Sequence, residues 1–166
     1  MRIAIAFDCL YPYTTGGGEK MYLQYAQEFV KAGHQVDYLT REQWEGDGPA
    51  LDEITVVPIS GPLRLYDDEG VRLPATAAVF AAALGAHLAR RRGRYDVLIV
   101  SATPVLNIFA ARAALAGTRT RIIADWLEVW TPDQWLEYSG PAVGRIANAL
   151  QWAAVRLSPL ATGSSQ

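Results

Sequence analysis

Residues 1–40 read MRIAIAFDCLYPYTTGGGEKMYLQYAQEFVKAGHQVDYLT and contain a strand, a glycine-rich loop, a helix and a second strand. The apolar run at residues 2–7 has the length of a buried strand. Apolar side chains then recur at helical spacing until Gly33, which is a helix stop, and residues 35–40 form the next strand. This βαβ order predicts free backbone amides at the start of the helix, at Gly16–Gly18, where an anion can bind.

Strand and helix patterns continue to alternate along the rest of the chain. The predicted elements are a strand at 54–57 that Pro58 ends, a polar mobile loop at 60–72, a helix from Pro74, a strand at 96–100, a helix capped by Thr103 with Pro104 in its first turn, a strand at 120–124, a short helix from Thr131 to Tyr138, a longer helix from Pro141 and a strand at 160–164.

Parallel strands joined by helical crossovers form a sheet with helices on both faces. We therefore expect an α/β fold, a Rossmann-like doubly wound parallel sheet, formed as a single domain by residues 1–166. The expected strand order is 3-2-1-4-5, with the sixth strand after the fifth. Ligands of such sheets bind beyond the carboxyl ends of the strands, where the order reverses between the first and fourth strands.

The composition is that of a folded protein, with 51% hydrophobic and 19% charged residues. A net charge of -2 provides no basic excess, so we expect no nucleic-acid partner. The single cysteine, Cys9, excludes an internal disulfide and favours a reducing compartment, the cytoplasm. No uninterrupted run of about 18 apolar residues could span a bilayer. No His, Cys and Asp cluster has metal-ligand spacing, and we expect neither a metal nor a cofactor.

Three loops meet at the predicted ligand-binding edge, and each carries side chains suited to a polar ligand. The glycines would admit a phosphate, the polar side chains would bind hydroxyl groups, and the aromatic rings would stack on a sugar. The alternatives are a flexible turn for the glycines, turn or helix caps for the carboxylates, and ordinary core packing for the rings. The candidate binding residues are Gly16, Gly17, Gly18, Glu19, Lys20, Asp8, Tyr11, Tyr13, Ser101, Thr103 and Trp126.

Asp125 and Glu128 are the acidic pair nearest to the predicted crevice, three residues apart just past the fifth strand. Paired carboxylates perform acid–base chemistry at glycosidic bonds in glycosidases. We therefore take Asp125 and Glu128 as the candidate catalytic residues. The alternative is that each carboxylate caps the turn after the strand.

A dinucleotide-binding site is the main alternative use of the glycine loop. That site needs Gly-x-Gly-x-x-Gly directly after the strand, but Met21 stands where the third glycine belongs. A Walker loop is excluded because no Gly-Lys-Ser/Thr follows the glycines.

Two segments resemble one known family. The loop GGGE at residues 16–19, with the helix that ends in AGHQV at 32–36, resembles the N-terminal domain of family 4 glycosyltransferases. The segment DWLEVW at 125–130 resembles the Asp-Trp-x-Glu-Val-Trp stretch of bacterial members that build polysaccharides and glycoconjugates.

The resemblance implies the N-terminal half of a GT-B fold, in which two Rossmann-like domains enclose a cleft. The first domain binds the acceptor, the second binds the nucleotide-sugar donor, and transfer retains the anomeric configuration without a metal. We expect residues 1–166 to lack the C-terminal donor-binding domain, as a fragment or truncated form that is inactive alone. Many members carry a histidine near position 127, but this chain has Leu127, so no histidine role is carried over.

The resemblance also implies the partners: a sugar acceptor, a nucleotide-sugar and the missing C-terminal domain.

The arginines at 90–94 could contact anionic lipid headgroups at the inner face of the membrane, or could simply stabilise a helix C-terminus. An exposed sheet edge or domain face could produce a dimer of the isolated chain. A non-catalytic partner module of a glycosyltransferase complex and an oxidoreductase domain remain the alternative functions.

Overall fold

Six parallel strands form one sheet in the order β3-β2-β1-β4-β5-β6 in the computed structural model, which describes residues 1–163. This order is the one that the sequence predicted. The elements are β1 (Arg2–Ala6), α1 (Gly17–Lys31), β2 (Gln35–Arg41), β3 (Ile54–Ser60), α2 (Pro74–Arg90), β4 (Val97–Ser101), α3 (Leu106–Ala114), β5 (Arg121–Trp126), α4 (Pro132–Arg156) and β6 (Ala161–Gly163).

Two hydrophobic clusters cover the two faces of the sheet. Side chains alternate along β1, so Ile3 and Ile5 join the cluster under α1, whereas Ala4 and Ala6 face the cluster under α2, α3 and α4. Both faces are therefore buried, as the apolar strand sequences predicted. The predicted buried face of α2 is confirmed, and Leu84 lies in its centre with no exposed surface.

The structure corrects the predicted bounds of several elements. Pro58 does not end β3, because β3 is an edge strand and the missing proline N–H removes no obligatory ladder bond. The loop at 60–72 contains an antiparallel bridge between Tyr66 and Arg72. In the predicted sixth strand, Ser164 lies outside the described residues.

Helix α4 contains the break that the sequence predicted. Its capping box is formed by Thr131 and Gln134: the Gln134 N–H donates to Thr131 Oγ1 over 3.3 Å, and the Thr131 N–H donates to Gln134 Oε1 over 2.8 Å. Gly140, with φ 73° and ψ 173°, then interrupts the helix in a conformation reserved for glycine. Beyond the break, Gly144 packs against the Trp135 backbone of the first half.

A polar network joins α2 to β2 at the opposite edge of the sheet from the predicted crevice. Tyr95 Oη donates to Asp37 Oδ2 over 2.9 Å, so it accepts from His87 Nε2, which is 3.2 Å away. His87 Nδ1 then accepts from Arg91 Nη1, also over 3.2 Å. Burial and the Arg91 charge lower the pKa of His87 to about 4.

Acidification should therefore weaken the fold through His87. Unfolded histidine binds a proton near pH 6.5, whereas folded His87 resists protonation down to about pH 4. Stability is thus unaffected above pH 6.5 and falls as the pH drops, by about 2 kcal/mol at pH 5. Urea unfolding of the native chain and of His87→Gln, which keeps a donor toward Tyr95, measures the effect. Equal pH slopes for the two proteins would contradict it.

Candidate functional site

The glycine loop and the start of α1 lie beside the switch point between β1 and β4, at the carboxyl edge of the sheet. Gly16 is the extended N-cap residue of α1, and no side chain within residues 1–163 caps this helix. The first amides of α1 therefore have no partner inside the helix. Their dipoles favour a negative charge at this end.

The three glycines have different surroundings. A Cβ on Gly16 would overlap the Glu19 carboxylate, which folds back over the loop. A Cβ on Gly17 would meet no atom of the described chain within 4 Å, so open space adjoins the helix start there. A Cβ on Gly18 would lie 3.2 Å from Leu127 Cδ1. The glycine loop is therefore packed against the segment that follows β5.

Asp125 lies inside β5 and is buried, whereas the sequence pattern placed it just past the strand. Its Oδ2 accepts a 2.6 Å hydrogen bond from Tyr22 Oη, and its Oδ1 accepts a 2.5 Å bond from Thr162 Oγ1. Burial and the Asp125 charge raise the pKa of Tyr22, so the phenol keeps its proton and donates. Asp125 thus joins α1, β5 and β6, and its catalytic role stays a prediction.

Glu128 is exposed, so the predicted acidic pair is divided between the interior and the surface. Its Oε2 accepts a hydrogen bond from Trp130 Nε1. Trp126, predicted to stack on a sugar, is only 8% exposed and belongs to the core cluster that contains Ala154. The strand continues through Trp126, so alternation turns this ring into the core.

Asp8 is fully buried directly after β1, where an open position in the crevice was predicted. Its Oδ2 forms an ion pair with the guanidinium of Arg72, and its Oδ1 has no hydrogen-bond partner among residues 1–163. Burial raises the pKa of Asp8, and the charges of Arg72 and Arg41 offset part of that rise. A ligand could reach the carboxylate only if Arg72 moved, so a sugar contact at Asp8 stays a prediction.

The loop between β1 and α1 presents two of the predicted aromatic residues. Lys20 Nζ lies 5.6 Å from the centre of the Tyr11 ring, within cation–π range. Tyr13 is 43% exposed and packs against Trp44 with 5.6 Å between ring centres.

Burial raises the pKa of the Cys9 thiol to about 12, which excludes a thiolate nucleophile at neutral pH.

Ser101, the last residue of β4, forms hydrogen bonds with Thr103. The Thr103 N–H donates to Ser101 Oγ over 3.2 Å, and Ser101 Oγ donates to the Thr103 carbonyl over 3.1 Å. Thr103 was predicted to cap the next helix, but α3 begins at Leu106 and its N-cap is Val105. The cap prediction was wrong because the Thr103 backbone forms a turn with Ser101. Ser101 is fully buried, and a ligand contact for either residue stays a prediction.

The sequence of residues 16–160 matches the family model described as the glycosyl transferase 4-like domain. The chain belongs to this family. A search of curated proteins found no match. Among solved structures, the chain is similar to WaaG, a glycosyltransferase involved in lipopolysaccharide biosynthesis, with 18% sequence identity and a TM-score of 0.42. That alignment covers 73% of this chain and 38% of the WaaG chain.

Membership of the glycosyl transferase 4-like family confirms the resemblance drawn from the glycine loop and the 125–130 segment. Several polar and aromatic residues at the same edge were not predicted. Arg72 stands in a loop predicted to be mobile, and no local pattern indicates its pairing with Asp8. The capping box at Thr131 was the available signal for Trp135 and Tyr138, because it predicts the helix that carries them. The unpredicted residues are Arg72, Trp130, Trp135, Tyr138 and Gln151.

Two further findings concern metals and membranes. No group of three or more His, Cys, Asp or Glu side chains in residues 1–163 is arranged to hold a metal ion. In the same part of the chain, no helix combines the length and apolar character needed to cross a membrane.

The arginines after α2 have intramolecular partners: Arg92 donates to the Ala114 carbonyl over 2.7 Å, and Arg94 pairs with Asp37. A lipid contact for them stays a prediction.

Proposed function

We propose that the chain is the acceptor-binding N-terminal domain of a retaining glycosyltransferase. The full enzyme transfers a sugar from a nucleotide-sugar donor to a glycan, lipid or small-molecule acceptor. A second domain, outside residues 1–166, binds the donor and closes the cleft. The nucleotide-sugar is a substrate, and neither a metal nor a cofactor takes part.

The close approach of Leu127 to Gly18, where a Cβ would lie 3.2 Å from Leu127 Cδ1, carries this proposal, in a chain whose family match spans residues 16–160. It joins the two segments that resemble family 4 enzymes, although more than 100 residues separate them in the sequence. The hydrogen bond from Tyr22 to Asp125 reinforces the same junction. Such convergence at the switch point of a doubly wound sheet is typical of a ligand site.

The backbone amides and side chains at the carboxyl edge of the sheet have different roles in the proposed reaction. The free amides at Gly17 and Gly18 stabilise the negative charge on the donor phosphate as the glycosidic bond breaks. Lys20, on the same turn, adds a cation. Glu128 is the exposed carboxylate that accepts hydrogen bonds from acceptor hydroxyls. Asp125 is a positioning residue, because its two oxygens are already hydrogen-bonded to Tyr22 and Thr162.

The first test is the intact mass of the protein produced from its own gene, followed by a transfer assay. We expect a mass larger than that of this chain by roughly one more domain, about 100–200 residues. That protein should transfer labelled sugar from a UDP- or GDP-sugar to lipid or glycan extracts of its own cells. Proton NMR of the product should show the anomeric configuration of the donor. A protein that ends at Gln166 and transfers no sugar contradicts the proposal.

Gly17→Ala tests the phosphate contact. Open space surrounds Gly17, so the added methyl group should change stability by less than about 0.5 kcal/mol. The same methyl group would push a phosphate away from the amides, and we expect kcat/KM of the full enzyme to fall at least about tenfold. Gly61→Ala is the matched control, because a Cβ there also meets no described atom within 4 Å. Equal kcat/KM in the two variants would contradict the contact.

A further inference from the structure

Three aromatic rings form a cluster outside both hydrophobic cores. Trp130 lies 4.8 Å from Trp135 and 4.8 Å from Tyr138, measured between ring centres. None of the three rings belongs to the two core clusters of residues 1–163, and all three are partly exposed. Core aromatics such as Tyr22 and Phe80, in contrast, have no exposed surface. Single exposed apolar side chains are common, but a contiguous group of partly exposed rings can mark a binding surface.

A buried side chain holds this aromatic cluster in place. Gln151 is 2% exposed, and its Oε1 accepts from the Trp130 N–H over 3.0 Å and from Trp135 Nε1 over 3.1 Å. Its Nε2 donates to the Trp130 carbonyl over 2.8 Å. The three bonds hold the Trp130 backbone and the Trp135 ring, and a hydrogen bond from Trp130 Nε1 to Glu128 Oε2 holds the Trp130 ring. The cluster is therefore rigid, as a preorganised binding surface requires.

A carboxylate accompanies the rings. Trp130 Nε1 donates to Glu128 Oε2, which fixes the carboxylate beside the cluster. The other oxygen, Glu128 Oε1, accepts no hydrogen bond from the described chain, and the side chain is exposed. An apolar ring with a neighbouring acceptor matches a pyranose, which has an apolar C–H face and hydroxyl donors at its rim. The core of a protein-binding patch is depleted of charged residues, so a fixed carboxylate beside the rings favours a ligand with hydroxyl groups.

Hydrogen bonds connect the cluster to the switch-point crevice. Tyr138 Oη accepts from the Arg72 N–H over 2.9 Å, and the Arg72 guanidinium pairs with Asp8 after β1. Trp130 and Glu128 themselves follow β5 at the same edge of the sheet. A sugar on the cluster would thus be adjacent to the site proposed for transfer.

We propose that Trp130, Trp135, Tyr138 and Glu128 form a subsite for a pyranose ring of the acceptor. This inference rests on the proposed function for its assignment to the acceptor. It makes the acceptor a saccharide, or a lipid that carries one. One face of the sugar stacks on the aromatic cluster, and a hydroxyl group at its rim donates to Glu128 Oε1.

Binding to the chain itself tests the subsite without any transfer reaction. The probes are the methyl pyranosides of glucose, galactose, mannose and N-acetylglucosamine, each titrated at millimolar concentrations. The readout is the indole N–H resonances of the five tryptophans, assigned with single Trp→Phe variants. We expect at least one probe to shift the signals of Trp130 and Trp135 and to leave that of Trp152, exposed on α4, unchanged.

Two variants and one control sharpen this test. Trp130→Ala should abolish the shift at Trp135, and Glu128→Gln should weaken binding by about tenfold, because a charged acceptor is lost. Trp152→Phe should bind like the native chain. The fold of each variant is checked by its thermal unfolding, and Glu128→Gln keeps the test valid if Trp130→Ala unfolds.

The two proposals fail separately. If no probe moves the Trp130 and Trp135 signals, or if Glu128→Gln binds as well as the native chain, the saccharide subsite is wrong even if the full enzyme transfers sugar. If these signals move and respond to Glu128→Gln, the subsite is supported, and a full-length protein that transfers no sugar then contradicts the proposed function alone.

Discussion

Replacing Arg72 with methionine should lower the free energy of unfolding by about 3 kcal/mol at neutral pH, because Asp8 would stay buried without its partner. The aliphatic part of the methionine fills much of the same volume, so packing changes little. Arg41 remains near enough to lower the pKa of Asp8 and limits the loss. Urea unfolding with linear extrapolation measures the difference.

The pH dependence separates this charge effect from a packing effect. Without Arg72, burial raises the pKa of Asp8 further above its ordinary value of 3.8. The folded variant then binds more protons than the unfolded chain, so its stability falls as the pH rises above about 4. The deficit of Arg72→Met should therefore shrink toward pH 4. The double variant with Asp8→Asn should recover much of the loss at pH 7, and a constant deficit at all pH values would contradict the buried ion pair.

Gly144→Ala should destabilise the chain by about 3 kcal/mol, because the added Cβ would overlap the backbone of the first half of α4. That backbone is held in the helix and cannot shift without moving the whole first half. The added carbon would lie 2.8 Å from the Trp135 carbonyl carbon and 3.0 Å from Leu136 Cα. Relief of this overlap must separate the two halves of α4. Since Trp135 stands on the first half, the substitution should also reduce any saccharide binding by the aromatic cluster. Thermal and urea unfolding measure the loss.

Gly85→Ala is the matched control on another helix. Gly85 also faces a neighbouring helix, but its Cβ would lie 3.5 Å from Ala110 Cβ, an ordinary contact. Alanine favours the interior of a helix by about 0.5–1 kcal/mol over glycine. We therefore expect Gly85→Ala to be neutral or more stable than the native chain. Similar losses in both variants would indicate that glycine flexibility, and not the close approach at Gly144, matters.

The order of the strands could be predicted because each strand and helix carries its own periodic pattern. The buried face of α2 and the capping box at Thr131 also follow from local spacing, and both are confirmed. The position of the glycine loop beside β4 follows from the general geometry of doubly wound sheets. These properties depend on residues close together in the sequence, and local rules therefore suffice.

The candidate site itself could be predicted only in part, because its key contacts join distant residues. Nothing near Asp8 in the sequence indicates that Arg72 would bury it. The end of β5 was misplaced because Asp125 breaks the apolar pattern, although two distant hydroxyl groups satisfy its carboxylate. Because β5 continues through Trp126, alternation along the strand places this ring in the core.

One edge of the sheet bears on how the protein behaves in concentrated solution. A sheet edge with free backbone N–H and C=O groups can pair with a strand of another molecule, which leads to aggregation. At the β3 edge, Pro58 lacks an N–H, and the register with β2 shifts between Thr40 and Arg41. The β3 edge is therefore a poor template for a strand from another molecule, and we expect no fibres that grow from it.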